Sequence, residues 1–148
     1  MIPAFEDDGN LPAGVYRALW REVEQRFGTG PHRKRLLRGL HSVLVKLEAC
    51  GCETVYVDGS FVTSEPLPSD FDGAWEVAGV DLQELYAAEP SLFDFSNRRA
   101  AQKAKFLGEM FPAEMEEGDS GRTFVEFFQQ DKNTGKPKGI LAIDLRTL

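Results

Sequence analysis

The stretch Val55–Trp75, "VYVDGSFVTSEPLPSDFDGAW", decides the fold. "TVYVDG" alternates β-branched and aromatic residues and then stops at Gly59, so it reads as a strand. "FDGAWEV" reads as a second strand, and Pro66 and Pro68 make the link between them a loop. Gly59 and Ser60 therefore stand at the end of one strand. Asp70 and Asp72 stand at the start of the next.

Each pair has a physical consequence. A glycine after a strand lets backbone come close to a ligand, and successive amides there suit an anion. The Ser60 hydroxyl adds a donor at the same place. Side chains two apart on a strand share a face, so Asp70 and Asp72 point together. Two carboxylates so placed repel unless a cation lies between them, and Mg²⁺ held by carboxylates plus substrate phosphates suits such a pair. The plainer alternatives are a cap at Asp70 and a turn at Asp72-Gly73.

Outward from this stretch, "VYRALWREVEQRFG" has Val15, Leu19, Val23 and Phe27 at four-residue spacing and predicts a helix ended by Gly28. "TGPHRKRLLRGLHSVLVKLEACG" predicts a second. Its buried stripe is Leu36, Leu37, Leu40, Val43, Leu44 and Leu47, Pro31 suits its first turn, and Gly51 stops it. The basic run His32-Arg33-Lys34-Arg35 falls at the wrong end of that helix for its dipole, so the charge is solvated or used elsewhere. "DLQELYAAE" and "SNRRAAQKAKFLGEMF" predict two more helices. "GRTFVEFFQQ" and "GILAIDL" predict strands joined as a hairpin through Asn133 to Gly135. The predicted order is α-α-β-β-α-α-β-β. This is an α+β class with a small, mostly antiparallel or mixed sheet flanked by helices. Residues 1–148 form one domain in this reading: an arm over 1–13, two helices over 14–51 and a sheet core with the acidic motif over 52–148.

Composition narrows the function classes. A formal net charge of −7 over 148 residues argues against broad duplex DNA binding, which needs a basic face. It leaves room for a nucleotide, an RNA end or a protein partner. Cys50 and Cys52 are too close for an easy disulfide and lack further zinc ligands, which fits a reducing cytosol. The acidic N-terminus has no signal-peptide core, and no apolar run reaches membrane-spanning length. His32 and His41 join no catalytic constellation.

"GSFVTSEPLPSDFD" resembles the signature of the nucleotidyltransferase superfamily typified by DNA polymerase beta: Gly-Ser, a spacer of nine to thirteen residues, then Asp-x-Asp. The wider chain, including "RAAQKAKFLGEMFP", is similar to a small bacterial family usually placed in that superfamily. The resemblance implies a nucleotidyltransferase-like sheet flanked by helices. Gly59 and Ser60 would hold the triphosphate of an NTP, and Asp70 and Asp72 would hold two Mg²⁺ ions. It implies transfer of a nucleotidyl group to a hydroxyl of RNA or protein, as small members do in toxin–antitoxin or phage-defence modules, with a cognate antitoxin or regulatory protein as partner. The alternative is an inactive domain that keeps the fold and serves as an interaction partner. The family also uses a third carboxylate on a later strand beside the pair. Glu126 and Asp144 both stand among apolar strand residues, where either completes the set, and the hairpin would place them together. Glu126 is preferred because it follows the helical insertion. Arg98, Gln102 and Lys105 share a helix face that either lines the cleft, with Arg98 and Lys105 serving phosphate, or is simply solvated. Lys103 on that helix and Arg122 are further basic candidates.

Overall fold

The computed structural model describes residues 1–148. It holds five strands: β1 (Gly14–Leu19), β2 (Thr54–Asp58), β3 (Phe71–Trp75), β4 (Gly108–Pro112) and β5 (Gly139–Asp144). Five helices accompany them: α1 (Trp20–Phe27), α2 (Gly30–Ala49), α3 (Leu82–Ala88), α4 (Ser96–Phe106) and α5 (Phe124–Phe128). The sheet order is β1-β5-β2-β3-β4. β2 runs antiparallel to both β5 and β3, whereas β1 is parallel to β5 and β4 is parallel to β3. The class is α+β with a mixed sheet, as the sequence predicts.

Both faces of the sheet are covered. One carries Val55, Val57, Phe71, Leu141 and Ile143, which join the main core with α1 and α2. Every residue of the predicted α2 stripe is buried there. The other face carries Ala74, Phe111 and Ile140 against Phe128 of α5. Alternation along β2, β3 and β4 places Tyr56, Ala74 and Phe111 on this second face, with Asp58, Asp72 and Glu109 two residues away on the same face.

Three predicted elements differ. The helix expected from Val15 begins only at Trp20, because Gly14–Leu19 pairs residue for residue with Gly139–Asp144. Backbone pairing to a neighbouring strand outweighs the four-residue spacing, and Val15, the first of that series, is left 42% exposed. The second difference is "GEMFP", which is strand β4 rather than the end of α4. Leu107 adopts a left-handed conformation (φ 68°) that ends the helix, and a Cβ on Gly108 would lie 2.6 Å from the Phe71 ring, so glycine lets β4 lie against β3. Third, "FVEFF" is helix α5 and not a strand. Thr123 Oγ1 accepts the Glu126 amide at 3.3 Å and Glu126 Oε1 accepts the Thr123 amide at 3.0 Å, a capping box that starts a helix. The two segments therefore do not pair along their length, although the expected turn at Gly135 (φ 72°) does form and closes a short antiparallel bridge between Gln130 and Pro137.

The N-terminal arm is docked. Arg26 donates to the Pro3 carbonyl at 2.7 Å and covers the Phe5 ring, Leu11 is buried, and Asn10 bridges to Thr63. Cys50 and Cys52 are both free and buried, and burial pushes the Cys52 thiol up to about 12. No helix is long and apolar enough to cross a membrane.

Candidate active site

The site is built where β2 ends and β3 and β4 begin. Asp58 pairs with Asp72 across β2 and β3, and Asp72 pairs with Glu109 across β3 and β4. Three carboxylates thus form one row across three adjacent strands, on one face. Like charges in neighbouring cross-strand positions are unfavourable unless something compensates them.

Compensation is uneven along the row. Lys138 Nζ lies 2.7 Å from Asp58 Oδ1. Arg99 and Lys103 reach Glu109 Oε1 at 2.9 and 3.0 Å. Asp72 and the adjoining Asp70 have no basic partner; Asp70 has only a 3.4 Å contact from Ser69 Oγ. The two acids of the quoted motif are the ones left unpaired with a basic side chain.

The titration of the row follows from this. Burial, with the charges of Asp70, Asp58 and Glu109, pushes Asp72 up to about 8. Burial and then Glu109 raise Asp70. Asp58 is raised by burial against the pull of Lys138. Burial also acts upward on Glu109, but Lys103 and Arg99 outweigh it and hold that carboxyl below its ordinary value. An acid that keeps its proton near neutrality because of burial and then its acidic neighbours marks a place where a cation would be favoured.

The Gly-Ser turn faces this row. Gly59 has φ 91°, and a Cβ there would lie 3.0 Å from the Asp72 amide nitrogen and 3.2 Å from Asp72 Oδ2. Ser60 Oγ accepts the Ser69 amide at 3.1 Å, and the Phe61 amide donates to the Asp70 carbonyl at 3.3 Å. These bonds fix the turn against the loop that delivers Asp70. A test compares two glycines. Gly135→Ala should cost about 1 kcal/mol, since φ is 72° there but the space around it is open. Gly59→Ala should cost at least about 1 kcal/mol more, because strain and the contact with Asp72 add. Thermal denaturation reads the difference, and equal losses would show that the close approach is unimportant.

Acids and turn line a cleft of about 920 Å³. Arg99, Lys132 and Lys138 bring positive charge into it, and Phe111, Phe124, Phe127 and Phe128 supply its apolar lining.

The structure gathers Gly59, Ser60, Asp70 and Asp72 as the spacing predicts. The expected third acids lie elsewhere. Glu126 is exposed on α5 and spends its carboxylate on the Thr123 cap. Asp144 pairs in register with Thr54, at the far end of β2 from Gly59, and bonds Arg146 at 2.9 and 3.0 Å. The expected pairing of Glu126 with Asp144 fails because the antiparallel pairing stops at the Gln130–Pro137 bridge and Glu126 lies on α5. Arg98 sits exposed in a left-handed turn (φ 55°). Lys105 pairs with buried Glu89 at 2.8 Å, beside Lys46, and Gln102 is buried, so this face does not line the cleft. Arg122 bonds Gln130 and covers the Phe127 ring.

Two acids escaped the sequence reading. Asp58 immediately precedes Gly59, and strand alternation was the available signal for its face. Glu109 gave no local signal, since its place depends on β4 pairing with β3. No group of three or more His, Cys, Asp or Glu side chains is drawn together closely enough to hold a metal ion without rearrangement.

Comparison with known proteins identifies the chain at family level. A family described as "Family of unknown function (DUF6932)" matches residues 3–144, and the chain belongs to it. No curated protein and no solved structure matches the chain.

Proposed function

We propose that this chain is a Mg²⁺-dependent nucleotidyltransferase, moving a nucleotidyl group from an NTP to a hydroxyl on an RNA or protein acceptor. One observation carries the reading: Asp72 stands beside Glu109 of the next strand, next to Asp70 and facing the Gly59-Ser60 turn. The resemblance calls for a third carboxylate on a later strand beside the Asp-x-Asp pair. Glu109 on β4 meets that description and takes the place given to Glu126 or Asp144.

The donor set fits magnesium. Hard carboxylate oxygens are the ligands it takes, and the uncompensated charge falls on Asp70 and Asp72. Asp70, Asp72 and Glu109 would hold the two ions the resemblance implies. Bound there, magnesium would neutralise phosphate charge and lower the pKa of an attacking hydroxyl. The chain's own groups supply the rest. The Gly59-Ser60 turn seats phosphate close to the acids, because no side chain intervenes. Lys132, Lys138 and Arg99 line the same cleft and offer cations to it. Arg99 and Lys103 keep Glu109 ionised, so that it is ready as a ligand.

The test is incubation with each labelled NTP and total RNA or protein extract, with and without Mg²⁺. The expected result is Mg²⁺-dependent label on a macromolecule, lost with Asp70→Asn plus Asp72→Asn. A second reading, a binding-only or regulatory partner of the same fold, draws on a specific observation. Lys138, Arg99 and Lys103 already occupy two of the row's carboxylates. Nucleotide binding without label on any acceptor would favour it. A role in a toxin–antitoxin or phage-defence module belongs to the same proposal, and neutralisation of toxicity by a neighbouring gene product would test it.

A further inference from the structure

The cleft has an apolar end that the phosphate chemistry does not use. All four of its hydrophobic lining residues are phenylalanines. Phe111 and Phe124 stack face to face, with centroids 3.9 Å apart and planes within 7°. Phe95 continues the stack on Phe111 at 5.9 Å and 8°. Phe127 is half-buried beside them and touches Phe128 at 6.5 Å. Phe111 lies two residues beyond Glu109 on the same face of β4, so the aromatic shelf begins about 7 Å from the acid row.

We infer that this shelf seats the nucleobase of the donor nucleotide, with Phe124 and Phe127 as its stacking surface. The inference rests on the nucleotidyltransferase reading and adds to it the residues that hold the base. Parallel planar rings suit another planar ring better than an aliphatic chain, and a base offers a π-face whatever its identity. Phe124 and Phe127 are half-buried in a cleft otherwise lined by polar groups; the Arg122 guanidinium already lies 5.8 Å from the Phe127 centroid, and a base would complete the cover. The span from shelf to acid row matches a base at one end of a nucleotide and its phosphates at the other. The stacking is sequence-tolerant, so the shelf predicts weak discrimination among the four bases. Any preference would come from the Asn133 side chain, which also lines the cleft.

The experiment compares binding of Mg²⁺-ATP, the other three Mg²⁺-NTPs and Mg²⁺-tripolyphosphate by calorimetry. The proteins are the parent, Phe124→Leu and Phe127→Leu; leucine keeps apolar bulk, and melting curves confirm folding. The parent should bind every NTP at least about tenfold more tightly than tripolyphosphate. Each variant should lose about tenfold or more for NTPs and keep its tripolyphosphate affinity. Equal affinity of the parent for tripolyphosphate and NTPs would overturn the base seat while leaving the phosphate site standing. Equal losses for both ligands in the variants would also overturn it, because the rings would then act only as packing. Should the parent bind neither ligand, the nucleotidyltransferase reading falls and takes the base seat with it.

Discussion

Replacing Asp72 by asparagine should raise the melting temperature of the ligand-free protein at pH 8 and abolish its stabilisation by Mg²⁺-NTP. The sign follows from linkage. Burial and three neighbouring acids raise the Asp72 carboxyl from 3.8 to about 8 in the folded state. Between those values the folded chain binds more protons at this position than the unfolded one, so stability falls as pH rises. The penalty is absent below the unfolded value and complete above the folded one. Each pH unit of such a displacement is worth about 1.4 kcal/mol, but the cleft is open to water and Asp72 is only half-buried, so roughly 2 kcal/mol is the better expectation. In a chain of this length that corresponds to about 4–8 °C. The neutral amide of Asp72→Asn would remove the charge and flatten the pH profile over this range. Ligand dependence runs the other way. Metal binding requires the deprotonated carboxylate, so in the parent the shift produced by Mg²⁺-NTP should grow from about pH 6 to about pH 8.5. In Asp72→Asn it should be absent throughout. A parent whose stability rises with pH over this range would refute the uncompensated acid row. A ligand shift equal in both proteins would move the nucleotide away from Asp72.

Much of this site was legible because its signals are local. Gly59-Ser60 and Asp70-x-Asp72 lie on either side of one short loop, and two-residue alternation suffices to put the acids together. Helix α2 was legible for a similar reason. Six apolar residues keep a helical spacing from Leu36 to Leu47, and the lone Gly39 among them does not interrupt it before Gly51. Glu109 was not legible, because the run "KAKFLGEMF" reads as continuous helix. Only the left-handed Leu107 and the crowding of Gly108 against Phe71 end it. Glu126 is a different case. The signal Thr123-x-x-Glu126 stands in the sequence and argues for a helix start, but the aromatic residues around it favoured a strand. Once α5 forms, Glu126 caps its own first turn. Asp144 was placed wrongly for a topological reason. β5 runs antiparallel to β2, which sends its last residue to the start of β2 and away from Gly59. Pairing direction between distant segments is set by the whole packing, and a single strand does not encode it.

Arg33 should prove the most costly basic residue to remove: of the two expectations for the run His32-Arg33-Lys34-Arg35, charge solvated or used elsewhere, the second holds for this residue. Its side chain is 4% exposed and its guanidinium donates to the carbonyls of Phe61 (2.8 Å), Thr63 (2.7 Å) and Glu65 (2.6 Å), with a longer bond to Phe27. The fork geometry of arginine lets one charge serve several main-chain acceptors. Those carbonyls solvate a cation that the dipole of α2 opposes at this end. The loop they belong to runs from the Gly59-Ser60 turn toward Asp70, and the Thr63 hydroxyl donates to the Ser60 carbonyl at 2.6 Å. Arg33→Ala leaves buried carbonyls unpartnered and opens a cavity, for an expected loss of about 3–5 kcal/mol, or roughly 10 °C. Arg33→Lys should recover only part, since one ammonium cannot span the same acceptors. Arg35→Glu, at an exposed position of the same helix, should change stability by less than about 0.5 kcal/mol. Nucleotide affinity should fall with Arg33→Lys even where the protein remains folded, because the loop no longer holds Ser60 against Asp70. A melting temperature unchanged by Arg33→Ala would mean that the loop keeps its course without the clamp. Unchanged nucleotide affinity in folded Arg33→Lys would separate the loop's position from the site.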